Sequence, residues 1–283
     1  GGGFALQQTS MQLSVPIGDR EVPAEVLESL IGNRVTIYFI RADPYFDREF
    51  LYNTPAGDYP DNSERFVFFS RAALELLRQR PVDVVHCHDW QTALMTVYLK
   101  TQAARYREIA RAKTVFTIHN LGFQGIFGAA DWRLLDLDVA FFTPQFLEFY
   151  GNINFLKGAV IFADKLTTVS PSYAAEILTP EQGFGLEGAL RQRADDLVGI
   201  LNGVDYQLWN PWTDPFLTDH YGENSLSQKS ACKEKLRQMV GLPSREDSAV
   251  IGMISRLTPQ KGIDLVEGIL DALMARGVQF VLL

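Results

Sequence analysis

The feature that most constrains the fold of this chain is the alternation of short apolar runs with longer amphipathic stretches. Five β-branched and aromatic runs are apolar on both faces: NRVTIYFI (33–40), DVVHCH (83–88), KTVFTIH (113–119), DKLTTVS (164–170) and DLVGIL (196–201). Helical periodicity marks the stretches between them, such as SERFVFFSRAALELLRQR and DWQTALMTVYLKTQAA. Strands that are buried on both faces and separated by helices are typical of parallel sheets. We therefore expect an α/β fold with a doubly wound parallel sheet.

The pattern breaks between residues 206 and 223, where YQLWNPWTDPFLTDHYGE has two prolines, two tryptophans and no clean period. We interpret this segment as a connector. Beyond it AVIGMISR, IDLVEGILDALMARG and VQFVLL predict a strand, a helix and a strand. We expect a first domain over residues 1–240 and the start of a second, Rossmann-like domain over residues 241–283. Because about forty residues cannot bury a core of their own, we expect the chain to be part of a longer one.

Composition limits the classes of partner and compartment. The formal net charge is −8 and the isoelectric point is about 5.1, which argues against a sequence-independent nucleic-acid binder. The two cysteines lie far apart in sequence and suit reduced thiols, so we expect a cytoplasmic protein, or a plastid one if the source is a plant or alga. The segment GGGFALQQTS lacks a basic region followed by an apolar core, so we expect no secretion signal in it. No apolar run reaches the roughly 18 residues of a membrane span. We expect neither a nucleic acid nor a membrane as partner.

A dense polar motif, His86-Cys87-His88-Asp89, stands where a predicted strand gives way to a helix. Side chains alternate along a strand, so His86 and His88 should share one face while Cys87 points to the other. Three hypotheses remain open: a metal site, a structural cluster in which Asp89 caps the helix, and a polar rim that faces a ligand. Ligands of doubly wound sheets bind beyond the carboxyl ends of the strands. This position favours the third hypothesis.

Two later strand ends carry turns of similar design. In TIHNLGFQG, Asn120, Gly122 and Gly125 suit a loop with positive φ angles and close backbone approach. In GILNGVD, Asn202 begins an Asn-Gly turn. Loop structure is the better explanation of the first turn, and the functional signal of the second is weak in isolation. Asn120 is kept as a candidate substrate-binding residue.

The first turn of the second domain, SRLTPQKG, places Arg256 and Lys261 before a helix. Two cations in such a turn of an acidic protein suit a diphosphate, although two solvated surface cations are the alternative. The turn itself contains neither G-x-G-x-x-G nor G-x-x-x-x-G-K-[ST], which argues against a dinucleotide or P-loop motif at this position.

Taken together, these segments resemble the bacterial glycogen synthase and plant starch synthase family, retaining glycosyltransferases of the GT-B fold. The similar segments follow one another in family order over most of the chain, and FLKG, TTVSP and NGVD separate this family from more distant GT-B transferases. The segments are DNSERFVFFSRAALE, DVVHCHDWQTALMTVYLK, TIHNLGFQGIF, NFLKGAVIFADKLTTVSPSYAAEI, GILNGVDYQLWNP and SRLTPQKGIDL.

The resemblance implies transfer of glucose from ADP-glucose to the non-reducing end of an α-1,4-glucan (glycogen or starch), with retention of the anomeric configuration. It implies no cofactor, because ADP-glucose is the donor substrate, and no metal, because two cationic side chains would neutralise the diphosphate. His88 matches a histidine beside the donor glucose, and Asn202 an asparagine near that sugar. Arg256 and Lys261 match the pair that holds the donor diphosphate. Asp61 matches an aspartate near the sugar.

Several features differ from the family pattern. Gln91 stands where the family often has a second histidine, and the Lys-Thr-Gly-Gly-Leu segment is missing. The family's glutamate motif would lie beyond Leu283, so we expect these 283 residues alone to be inactive. Three alternatives remain: a UDP-glucose-dependent GT-B transferase, a binding protein for glucan or nucleotide, and a metal-dependent hydrolase that uses His86, His88 and Asp89.

Overall fold

The computed structural model of the chain describes residues 5–32 and 34–283. The chain divides into two compact units, Gly1–Asn202 and Gly203–Leu283. The connector and the helix after it therefore belong to the second unit. The domain limits expected at residues 240 and 241 stay a prediction.

The first unit alternates strands and helices along most of its length. Its strands are β1 (Gln7–Ile17), β2 (Arg20–Ile31), β3 (Val35–Arg41), β4 (Asn53–Thr54), β5 (Gly57–Asp58), β6 (Val84–His88), β7 (Lys113–Ile118), β8 (Ile126–Gly128), β9 (Glu148–Phe149), β10 (Asn152–Asn154), β11 (Lys165–Thr168) and β12 (Leu197–Gly199). Its α-helices are α1 (Asp43–Phe46), α2 (Asn62–Gln79), α3 (Asp89–Thr101), α4 (Trp132–Leu135), α5 (Phe155–Phe162), α6 (Pro171–Glu176) and α7 (Glu187–Arg191).

The central sheet of the first unit has the strand order β12-β11-β7-β6, and every neighbouring pair is parallel. This arrangement confirms the parallel sheet expected from the apolar runs. Helix α3 packs against β6 and β7 and against α2 and α5. The apolar side chains beneath these helices, such as Phe116 and Leu166, are fully buried. The carboxyl ends of all four strands lie along one edge, which positions the loops of the candidate site.

The structure corrects the assignment of the run 33–40. Within the described residues it forms β3, which pairs antiparallel with β2 in a separate three-stranded sheet of order β1-β2-β3. The turns joining these strands are too short for the helical crossover that parallel strands need. At the first turn, Ile17 pairs with Arg20 across a two-residue loop that begins with Gly18 at φ +57°.

Strand β6 also differs from expectation, because only one of its faces is buried. Val85 and Cys87 are buried, whereas Val84, His86 and His88 are exposed. The apolar composition of the run predicted the strand, but its two histidines mark the open face.

The second unit contains α8 (Lys229–Met239), β13 (Val250–Met253), α9 (Ile263–Ala275) and β14 (Gln279–Leu282). Strands β13 and β14 are parallel, with Val250 opposite Gln279, so the expected strand-helix-strand order is confirmed. The buried Arg237 guanidinium ties α8 to β14, because it donates to the Gln279 side chain at 2.7 Å. Among the described residues, no helix combines the length and hydropathy of a membrane span.

Candidate functional site

The candidate site begins at the carboxyl ends of β6 and β7. His86 and His88 lie on the same face of β6, with ring centroids 4.3 Å apart, and Cys87 faces the interior. This confirms the alternation expected from the sequence. Burial raises the pKa of the Cys87 thiol to about 12, so this thiol stays protonated and is a poor nucleophile.

His88 contacts a third histidine from the neighbouring strand end. Its Nδ1 lies 3.1 Å from Nε2 of His119, so the two rings share one hydrogen bond. Its Nε2 has no hydrogen-bond partner among the residues that the structure describes, and the side chain is exposed. Burial lowers the pKa of His88, the nearby rings of His86 and His119 lower it further, and Asp89 opposes them. His88 therefore presents a neutral imidazole at neutral pH.

His86 is held by hydroxyl groups on the same sheet face. Its Nε2 lies 2.7 Å from Oγ1 of Thr117, which in turn lies 2.6 Å from Oγ1 of Thr167. This chain runs across β6, β7 and β11, so it fixes the His86 ring relative to three strands. The contact makes His86 a support for the cluster, through a threonine hydroxyl and not through a carbonyl group.

The structural hypothesis had Asp89 capping the following helix, and the structure contradicts this part of it. Asp89 is the first residue of α3, has φ +54°, and its Oδ1 accepts a hydrogen bond of 2.8 Å from the backbone N–H of His119. The left-handed backbone turns the carboxylate away from its own helix and towards the next loop. Thr92 instead makes the side-chain hydrogen bonds at the start of α3. Its hydroxyl accepts from the N–H of His88, the residue before the helix, and donates to the His88 carbonyl. Asp89 therefore joins the ends of β6 and β7.

The loop after His119 approaches Trp90 closely. Gly125 has φ +63°, and a Cβ there would lie 2.5 Å from Cε3 of Trp90, which confirms the expected glycine requirement at this position. At Asn120 and Gly122 the expected positive φ is absent. Asn120 Oδ1 instead accepts from the N–H of Gly122 at 3.0 Å and tightens the loop.

Asp61 lies at the N-terminal end of α2, and its carboxylate is already paired. Arg48 donates to both of its oxygens, at 2.7 and 2.5 Å, and this hydrogen bonding lowers the pKa of Asp61. The segment before α2 contacts the candidate site through Tyr52, whose hydroxyl accepts a hydrogen bond from Gln91 Nε2 at 2.8 Å. The sugar contact expected of Asp61 stays a prediction. Gln91, where the family often has histidine, anchors this segment.

The remaining predicted residues lie outside the histidine cluster. Asn202 is exposed and ends the first unit, just beyond β12. Arg256 and Lys261 are exposed in the second unit, and neither has an ion-pair partner in the part of the chain that the structure describes. Gly262, at φ +75°, then leads into the 13 residues of α9. The two cations therefore flank a turn at a helix N-terminus, with their charges uncompensated.

The comparisons with known proteins identify the family. The model of the starch synthase catalytic domain matches residues 4–192. The chain belongs to this family. Glycogen synthase 2 of Geobacter sulfurreducens is 48% identical over 252 residues, which are 88% of this chain and 52% of that protein. The glycogen synthase of Thermotoga petrophila is 44% identical over 284 residues, 99% of this chain and 57% of its own length.

A solved structure extends the likeness to the starch synthase fold. The catalytic domain of Starch Synthase IV from Arabidopsis thaliana, bound to ADP and acarbose, matches with a TM-score of 0.87 and 34% identity. The match covers 99% of this chain and 57% of that one. The resemblance to the glycogen and starch synthases and the α/β GT-B fold class are thereby confirmed. The matched region spans 52% of the Geobacter sulfurreducens protein and 57% of the Thermotoga petrophila protein, so the chain covers little more than half of their lengths.

His86, His88 and Asp89, the residues of the alternative metal site, are not arranged as metal ligands. Among residues 5–32 and 34–283, no three His, Cys, Asp or Glu side chains are arranged to hold a metal ion. Asp89 faces the His119 backbone and His86 faces Thr117, so the three residues of the hydrolase hypothesis point to different partners.

Sequence reasoning missed His119 as part of the site. The pairing of His88 with Thr117 places His119 just beyond its strand, next to His88. The available signal was a histidine at the carboxyl end of each of two adjacent parallel strands, His88 in β6 and His119 just after β7. It becomes informative only when the strand order is known.

Proposed function

We propose that this protein transfers glucose from ADP-glucose to the 4-hydroxyl at the non-reducing end of an α-1,4-glucan, with retention. The observation that carries the proposal is the match, over 99% of the chain, to a starch synthase catalytic domain bound to ADP and acarbose. The glycogen synthases among its relatives support the same substrates. The location expected from the sequence, cytoplasm or plastid, stays a prediction.

In the proposed reaction His88 orients the donor glucose. Cleavage of the bond to ADP builds positive charge on the glucose ring and negative charge on the diphosphate. An imidazolium beside the sugar would oppose the first of these charges, so the lowered pKa of His88 suits the task. The shared hydrogen bond with His119 fixes the ring and leaves Nε2 free for a sugar hydroxyl. Asn202, Asn120 and Asp61 remain candidates for further hydroxyl contacts.

Arg256 and Lys261 are proposed to stabilise the departing diphosphate. Both are exposed, and neither charge is neutralised by an ion pair within the described ranges. By analogy with other preorganised donors, loss of either cation should remove about 3 kcal/mol of transition-state stabilisation. Two such cations neutralise the diphosphate, so the proposal includes no metal or cofactor. Attack on the face that ADP leaves, with a phosphate oxygen accepting the acceptor proton, accounts for retention.

The proposal is tested by donor competition in the full-length protein, with labelled ADP-glucose and UDP-glucose offered together with glycogen. We expect incorporation mainly from ADP-glucose. Arg256→Ala and Lys261→Ala should each lower kcat/KM strongly, and the double variant should lose less than the sum because both residues serve one group. Arg276→Ala, at another exposed arginine of the second unit, is the matched control.

Preference for UDP-glucose would support the alternative transferase. Activity that EDTA abolishes and zinc restores would support the hydrolase hypothesis for the histidine motif. Strictly additive losses at Arg256 and Lys261, or losses confined to the KM for glucan, would contradict a shared phosphate site.

A further inference from the structure

Exposed aromatic side chains occur in the loop that follows His119 and on two other turns of the first unit. Phe123 is 55% exposed, Tyr150 82% and Phe184 53%. We call these three residues the aromatic platform. A single exposed aromatic residue needs no explanation, because much of any protein surface is apolar. A group of three exposed aromatic residues near a candidate site does need an explanation, since exposed apolar groups of this kind mark binding surfaces.

Two residues of the platform are held in an unfavourable backbone conformation. Tyr150 has φ +50° and Phe184 has φ +51°, and the other non-glycine residues with positive φ in the described ranges are both aspartates. The left-handed region is uncommon for bulky side chains, and strain of this kind concentrates at functional sites. The Tyr150 ring packs edge-on against Phe149, with ring centroids 4.7 Å apart, and still leaves most of its surface exposed.

Buried amide groups fix the backbone at Phe184. Gln124, which is 6% exposed, donates from Nε2 to the Phe184 carbonyl at 3.1 Å. The fully buried Asn154 donates to Gln124 Oε1 at 2.6 Å, so the buried amide groups are hydrogen-bonded to each other. Polar side chains also hold the turn at Tyr150, because Asn152 donates to its carbonyl at 3.3 Å. The rings are therefore presented by a rigid support.

The platform is continuous with the histidine cluster within the first unit. A Cβ on Gly185, which has φ +82°, would lie 3.6 Å from the Tyr150 ring, so the turn after Phe184 packs beside Tyr150. The Phe184 ring lies 3.7 Å from the Cβ position of Gly122, where Asn120 Oδ1 also approaches. Asn120 directly follows His119, the partner of His88.

We propose that the aromatic platform binds the acceptor glucan by stacking against the apolar faces of its glucose rings; this inference rests on the proposed function. A pyranose ring has flat C–H faces and a rim of hydroxyls, so an aromatic ring buries apolar area against it while the rim stays hydrated. The carboxylates of Glu148 and Glu187 adjoin the two turns of the platform. They disfavour a diphosphate there but not a neutral glucan.

The test compares Tyr150→Ala, Phe184→Ala and the double variant with Phe216→Ala, a 91% exposed phenylalanine of the second unit. Isothermal titration with maltoheptaose in the full-length protein gives the dissociation constant, and steady-state assays give KM for glycogen and for ADP-glucose separately. Each alanine variant should weaken maltoheptaose binding roughly tenfold, as expected for loss of one buried aromatic contact. KM for ADP-glucose should stay within about twofold, a change of less than half a kcal/mol.

Two kinds of variant separate lost stacking from lost folding. Tyr150→Phe and Phe184→Tyr keep the rings and should bind maltoheptaose as the wild type does. Phe184→Gly removes the ring but accepts φ +51°, so it should weaken maltoheptaose binding as Phe184→Ala does while keeping its thermal stability.

The outcomes for the platform and for the proposed function are distinct. If the wild type transfers glucose but the double variant binds maltoheptaose equally well, the platform is overturned and the proposed function stands. An equal rise in both KM values would also overturn the platform. If the wild type transfers no glucose, the proposed function fails; maltoheptaose binding that the double variant loses would still support the platform.

Discussion

Asp89 offers the sharpest test of how the candidate site is built, because its side chain and its backbone make separable contributions. The carboxylate accepts a 2.8 Å hydrogen bond from the His119 N–H, and the residue has φ +54°. The bond is worth about 1 kcal/mol, since its surroundings are only half-buried. The left-handed backbone adds roughly 1 kcal/mol for a residue such as alanine, whereas Asp, Asn and Gly tolerate it.

Three substitutions should therefore fall in a fixed order. Asp89→Asn keeps an oxygen acceptor and a tolerant backbone, so it should cost less than about 0.5 kcal/mol. Asp89→Gly loses the bond but suits the φ angle, and it should cost about 1 kcal/mol. Asp89→Ala loses the bond and strains the backbone, for about 2 kcal/mol in total.

Urea unfolding followed by near-ultraviolet circular dichroism measures the order, with Trp90 beside the substituted residue. In thermal melts, about 2 kcal/mol corresponds to a Tm lower by roughly 4–8 °C for a unit of this size. An alanine variant as stable as the wild type would refute the reasoning. A glycine variant less stable than the alanine variant would show that the left-handed backbone contributes nothing.

The remaining predictions concern packing, acid stability and the pKa of His88. Gly125→Ala should lower the free energy of unfolding by about 2–4 kcal/mol, because the new methyl group would lie 2.5 Å from Trp90 and φ is +63°. Urea unfolding measures this loss, and Gly128→Ala, at a position with open space around it, is the control. Burial alone would raise the pKa of Asp164, but hydrogen bonds from Lys100 and Thr114 outweigh it and lower that pKa from 3.8 to about 2. The contribution of Asp164 to stability is therefore complete above pH 3.8 and lost as the pH falls towards 2. Asp164→Asn should make the free energy of unfolding less dependent on pH in this window, as acid unfolding measures it. An unchanged slope would contradict the ion pair. His119→Ala removes a neighbouring ring that lowers the pKa of His88, so this pKa should rise in an NMR titration. An unchanged or lower pKa of His88 would contradict the contact.

The central sheet was predictable because its information is local. Each of its strands is a compact apolar run with helical sequence on either side, and this alternation alone favours parallel pairing. The run that became β3 has the same composition, yet it is antiparallel. Strand direction depends on the length of the connections, and the strands β1 and β2 that precede it were not anticipated. Asn33, at the start of that run, lies outside the described residues.

The candidate site was likewise predictable only where the information lies within one segment of the sequence. The shared face of His86 and His88 follows from the two-residue period of a strand, which one segment contains. The contact between His88 and His119 depends on the register of two strands 31 residues apart, which no single segment contains. The turn of Asp89 towards His119 depends on a φ angle that aspartate only occasionally adopts. The sequence therefore identified the motif but not the interactions that hold it.

The most direct test of the central claim, that His88 is a neutral group beside the donor glucose, is glucosyl transfer by His88→Ala in the full-length protein. Labelled ADP-glucose and glycogen are the substrates, and His220→Ala, an exposed histidine of the second unit, is the control. We predict a fall in kcat of well over tenfold, more than about 1.4 kcal/mol of barrier, with an unchanged Tm and no dependence on added metal. Full activity in His88→Ala, or zinc bound stoichiometrically to the wild type and lost from the variant, would contradict the account.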